Sequence, residues 1–104
     1  RGRQALDYAD SARKLYPQEA QAHKMAGVLA LELRDPAQAM QRLDEYDRIL
    51  PGDPGILFLK GVSQEGLGNR RAAAQHYNAF LRQSQQGDAA QYAYSRLRGW
   101  GYMR

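Results

Sequence analysis

The chain echoes itself at a spacing of 34 residues. Pro17 falls on Pro51, Gly27 on Gly61, Val28 on Val62 and Leu33 on Leu67. Ala39 then falls on Ala73, Gln41 on Gln75 and Arg48 on Arg82. These seven identities join residues 17–50 to 51–84, where ordinary residue frequencies would give roughly two by chance. Met25 with Leu59 and Tyr46 with Phe80 are conservative pairs, and a partial third copy sets Ala5 on Ala39 and Lys14 on Arg48. A period of this length means one supersecondary unit used more than once, each copy burying its apolar face against a neighbour.

The echo decides what the stretch Ile56-Leu57-Phe58-Leu59 is. Alone, four large apolar residues read as a buried strand. The punctuation before them reads otherwise. Pro51-Gly52 breaks a helix, and Asp53-Pro54 starts one, with Asp as N-cap and Pro at the first helical position, where its missing N–H costs nothing. Asp35-Pro36 repeats the device. Gly68-Asn69 can end a helix at positive φ and cap the next with Asn, and Gly87-Asp88 can do the same. Residues 56–59 are therefore the first turns of a helix that is packed on several sides. The predicted map is a helix over 3–15, pairs at 19–33 with 36–49 and 54–67 with 70–84, and a last helix over 88–98. Ala39, Leu43, Tyr46 and Leu50 recur at helical spacing, as do Ala73, Tyr77 and Phe80. Small residues at Gly27, Ala39, Gly61 and Ala73 would let paired helices approach closely.

These residues resemble the tetratricopeptide repeat, a 34-residue helix–turn–helix unit. The resemblance rests on Gly27 and Gly61 in each first helix, Ala39 and Ala73 in each second, Tyr46 and Phe80 late in the second, and Pro17 and Pro51 at the junctions. It covers nearly the whole chain, as a half repeat at 1–19, full repeats at 20–53 and 54–87, and a capping helix with a tail over 88–104. Two features depart from the pattern. The bulky residue early in the first helix is His23 in one copy and Leu57 in the other, and Gln85-Gln86-Gly87 stands where a junction proline would be. The fold the resemblance implies is all-α, a right-handed superhelix of antiparallel helix pairs, with no chemistry of its own. It also implies a concave groove, lined by the first helix of each pair, that holds a peptide or a partner helix. The lining would be Gln21, Lys24, Val28 and Leu31, then Phe58, Val62 and Glu65, then Tyr92 and Arg96. One subgroup of the family grips a C-terminal carboxylate with lysine and asparagine. Lys24 sits where a clamp lysine would, but Val28 and Val62 stand where asparagine is expected, so a groove for an apolar or amphipathic segment fits better. Phe58 and Val62 are its expected apolar anchors, and Lys24 and Arg96 its polar guides. The same residues can also be core, buried against the second helices.

The remaining totals exclude more than they assign. No cysteine is present, so disulfides, thiolate metal sites and cysteine catalysis are excluded. No apolar run approaches the roughly 20 residues that span a bilayer. The start at Arg1-Gly2-Arg3, without methionine, suggests a piece of a longer polypeptide. His23 and His76 lie in different helices with no gathered carboxylates, and no glycine-rich loop follows a strand, so no metal, cofactor or catalytic residue is expected. Charge is uneven. Residues 1–53 carry eight Lys and Arg against nine Asp and Glu, whereas residues 54–104 carry seven against two. The basic half would suit an anionic partner or a solvated face. Tyr92, Tyr94, Trp100 and Tyr102 lie among Arg96, Arg98 and Arg104, a mixture that can stack on bases or seal the end of a repeat array. The reading is a protein-binding scaffold. Nucleic acid is a lesser alternative, and helix 3–15 offers Leu6, Ala9 and Leu15 as a face for dimerisation. The basic, Gln- and Ala-rich character, the broken first repeat and the aromatic ending also resemble the repeat tail of some zinc-dependent metallopeptidases of the bacterial envelope. That resemblance would make the chain a non-catalytic arm placing substrate or a partner for an upstream protease. The lack of cysteine fits the bacterial periplasm and cytoplasm alike.

Overall fold

A computed structural model describes residues 20–103. The predicted helix over 3–15 and its dimerisation face lie outside them. The described residues form five helices and no strand: α1 (Ala20–Glu32), α2 (Pro36–Ile49), α3 (Pro54–Gly66), α4 (Arg70–Gln83) and α5 (Asp88–Gly99). Ile56 to Leu59 lie within α3, which settles the strand-or-helix question in favour of helix. The chain divides after Asp53 into two compact units.

In the first unit α1 packs on α2 across the three-residue turn Leu33-Arg34-Asp35. So short a link makes the two helices an antiparallel hairpin. The turn closes with the bonds of a Schellman motif: Arg34 N–H donates to Leu31 O at 3.0 Å and Asp35 N–H to Ala30 O at 2.8 Å. Arg34 takes φ +59° to do this, a left-handed conformation that L-residues other than Gly, Asn and Asp seldom adopt. Asp35 then caps α2 as expected, its Oδ1 accepting from Gln38 N–H at 3.2 Å, with Pro36 at the first helical position. The facing sides of the hairpin are small. Ala26, Ala30 and Ala39 are fully buried, and a Cβ placed on Gly27 would stand 3.0 Å from Leu43 Cδ2. Leu43 and Tyr46 complete the buried face of α2, but Leu50, the fourth member of the predicted stripe, is exposed. It follows the last helical residue, where its N–H bonds Tyr46 O, and its side chain leaves the stripe.

The second unit contains the same device moved by 34 residues. Both helices keep their limits under that shift: 20 and 32 become 54 and 66, and 36 and 49 become 70 and 83. Gly68 N–H donates to Glu65 O at 3.0 Å and Asn69 N–H to Gln64 O at 2.9 Å, so the turn bonding moves by the same amount. Gly68, at φ +82°, stands where Arg34 stood. Asn69 occupies the N-cap position of α4 without capping it through its side chain, contrary to the sequence expectation. Its amide is engaged elsewhere, donating to Gln64 Oε1 at 2.9 Å. Gly61 faces Tyr77 as Gly27 faces Leu43. The unit adds α5, which packs on α4 and buries Ala90, Ala93 and Leu97 into one core with Ala73, Ala74, Tyr77, Phe80 and Leu81. Leu57, Phe58, Val62, Tyr94, Trp100 and Met103 close around that core, so Tyr94 and Trp100 of the aromatic ending cover apolar surface while Tyr92 and Tyr102 are exposed.

Candidate functional site

The expected groove residues fall in different surroundings. In α1, Gln21 is exposed, while Lys24, Val28 and Leu31 are half-buried. Lys24 is already engaged inside its own unit. Its Nζ lies 3.8 Å from Asp53 Oδ2 and 5.7 Å from the centre of the Tyr46 ring. The same Asp53 oxygen accepts the Tyr46 hydroxyl at 2.7 Å. That bond, with burial and the Asp53 charge, raises the Tyr46 pKa.

In the second unit Phe58, Val62, Glu65, Tyr92 and Arg96 are brought around one aromatic cluster. Phe58 is half-buried, with its ring 5.8 Å from Tyr77, 5.3 Å from Phe80 and 5.9 Å from Tyr92, the last edge-on. Val62 is half-buried and packs against the same core. The centre of the polar network is Glu65. Its carboxylate accepts the Tyr77 hydroxyl at 2.8 Å and the Tyr92 hydroxyl at 3.3 Å, and pairs with Arg96 Nη2 at 2.6 Å. A charged acceptor shared among three donors is stronger than the neutral equivalent. It also places a negative charge beside two phenols. Burial first, then the bond to Glu65, pushes the Tyr77 hydroxyl well above its ordinary pKa, and burial and the Glu65 charge do the same at Tyr92. The bond to Glu65 likewise raises Arg96.

The sign of the resulting pH dependence follows from linkage. A tyrosine whose folded pKa lies above its unfolded value of about 10 binds its proton more tightly in the native state. Its contribution to stability is complete below pH 10 and is lost as pH rises toward the folded value. Tyr77, fully buried, should give a slope approaching 1.4 kcal/mol per pH unit above about pH 10. Urea unfolding at pH 8, 10 and 11 should therefore show a steeper alkaline loss for the wild type than for Tyr77→Phe. Parallel profiles would mean that Tyr77 ionises as readily folded as unfolded.

Sequence reasoning did not single out a recess formed in this region. Glu65, Gly68, Arg70, Arg96 and Trp100 line an open hollow of about 200 Å³. Trp100 stacks on Tyr77, ring centres 6.1 Å apart, and lies under two guanidiniums, Arg70 at 5.6 Å and Arg96 at 5.2 Å. Arg70 could have been noticed as the first of two arginines opening α4, a helix with no acid in its first turn. Among the described residues, no group of three His, Cys, Asp or Glu could hold a metal ion. No helix among them is long and apolar enough to cross a membrane. No protein-family model matches the chain, and neither a curated protein nor a solved structure is found that is similar enough to assign it to a family.

Proposed function

We propose that this chain is a protein-interaction module, a tetratricopeptide-type array that binds a peptide or partner segment along its first helices. The observation supporting this reading is that helix limits, turn bonding and the glycine contact all recur at one 34-residue spacing. Units built this way serve as surfaces for recognition, with terminal helices that cover the last apolar face. In this reading α1, α3 and the Tyr92–Arg96 face of α5 carry the binding surface, and α5 also closes the array. Lys24 and Arg96 supply polar guidance beside the apolar Phe58 and Val62. The chain itself carries out no reaction.

Site-directed photocrosslinking tests the reading. A benzophenone side chain at Gln21 of α1 or Tyr92 of α5, both exposed, should capture a partner protein. The same group at Gln41 of α2 or Gln75 of α4, also exposed, should capture little. Equal capture at all four positions, or capture on the second helices alone, would overturn the assignment of the binding surface.

A further inference from the structure

We propose that the recess walled by Arg70, Arg96 and Trp100 receives the carboxylate of an aspartate or glutamate side chain from a protein partner. The inference rests on the interaction-module reading and gives it a partner chemistry. Charge is the first argument. Arg96 already pairs with Glu65 at 2.6 Å, and that carboxylate is occupied further by the hydroxyls of Tyr77 and Tyr92. Arg70 has no acidic partner among the described residues, although it borders the same hollow. The recess therefore holds one positive charge in excess. In sequence, residues 54–104 carry seven basic residues against two acidic ones. Such a field draws in acidic segments and raises their association rate.

Preorganisation is the second argument. The Arg70 guanidinium lies 5.6 Å from the centre of the Trp100 ring, which is itself held by stacking on the buried Tyr77. A guanidinium attracted to an indole face samples a restricted set of orientations for its planar fork. Less freedom is then lost when the fork takes a carboxylate through two parallel N–H···O bonds.

Size is the third. A hollow of about 200 Å³ falls below the roughly 300–1,000 Å³ of sites that enclose small molecules and cofactors. It accepts one side chain rather than a nucleotide. The indole, moreover, is engaged by a stacked tyrosine and two guanidiniums, which compete with base stacking.

Trp100 is the single tryptophan of the chain, so its emission reports the recess alone. The full chain would be titrated with a short pentaglutamate peptide, acetylated and amidated so that only side-chain carboxylates are present. We expect a saturable change in Trp100 emission that weakens with added salt. Arg70→Gln, at an exposed position, should raise the dissociation constant about tenfold with an unchanged circular dichroism spectrum. The matching pentaglutamine peptide should leave the emission unaltered. An Arg70→Gln response equal to wild type would overturn the proposal, as would an equal response to pentaglutamine. A polyalanine peptide with a free C-terminus, or a short oligouridylate, binding more tightly than pentaglutamate would assign the recess to a chain terminus or to nucleic acid instead. A silent Trp100 with crosslinking intact at Gln21 would remove the acidic receptor alone. Loss of crosslinking would remove the module reading itself.

Discussion

Gly61→Ala will destabilise the second unit by about 2–3 kcal/mol, although alanine favours helix over glycine by about 1 kcal/mol. The added Cβ would stand 2.5 Å from Tyr77 Cε1 and 2.6 Å from Cδ1, closer than such atoms approach in proteins. Neither side can easily move. Gly61 lies within α3, and the Tyr77 ring is fully buried, stacked on Trp100, with its hydroxyl tied to Glu65. At this size the loss corresponds to a fall of about 10 °C or more in melting temperature. Gly27→Ala provides the contrast. There the new Cβ meets Leu43 Cδ2 at 3.0 Å and Cγ at 3.1 Å, contacts that a shift of a few tenths of an ångström would relieve. Its cost and the helix-propensity gain nearly cancel, so the change should stay within about 1 kcal/mol. A double-mutant cycle locates the clash: with Tyr77→Leu in place, Gly61→Ala should cost much less. Additive effects would mean that the ring is not what opposes the methyl group.

Glu65→Ala should cost about 2–3 kcal/mol, because it strands a buried phenol as well as removing an ion pair. The Tyr77 hydroxyl loses its 2.8 Å acceptor in a place from which its residue has no access to water. The Arg96 guanidinium loses its partner while its Nε, buried, already lacks a hydrogen bond. Glu65→Gln separates the two contributions. Its amide oxygen can still accept from Tyr77, but the charge that holds Arg96 is gone, so about half the loss should return. Equilibrium urea unfolding at pH 7 measures both variants. An alanine variant within 0.5 kcal/mol of wild type would show that the network orders side chains without stabilising the fold.

Much of the fold was legible because its determinants are local. Pro36 and Pro54 open helices where their rings permit, Asp35 caps α2, and Gly68 takes positive φ where α3 stops, whereas Gly87 takes it at the start of α5, with Asp88 inside the helix rather than capping it. Each of these requires only a few neighbouring residues. Arg34 was illegible for the complementary reason, since nothing in an arginine announces a left-handed backbone, and the tertiary hairpin overrides its preference. Asn69 looked like a cap, but its side chain makes no capping bond and its Nδ2 instead donates to Gln64 Oε1, five residues earlier. The site was legible only as a set of candidates. Spacing placed Glu65, Tyr92 and Arg96 on the right helices. It could not reveal that Glu65 gathers hydroxyls from 12 and 27 residues away. Nor could it reveal that Arg70 and Arg96 share one indole, because those meetings are set by how α3, α4 and α5 pack.

The two helix-connecting turns share every main-chain bond quoted above, yet of their three residues only the leucine is common to both. They are interchangeable parts. If the segments arose by copying, inheritance acted on a pattern of amides and carbonyls, and the side chains above it were free to drift. Arg34 marks how far that drift can run: a residue poorly suited to the conformation is kept in it by a scaffold that tolerates the misfit.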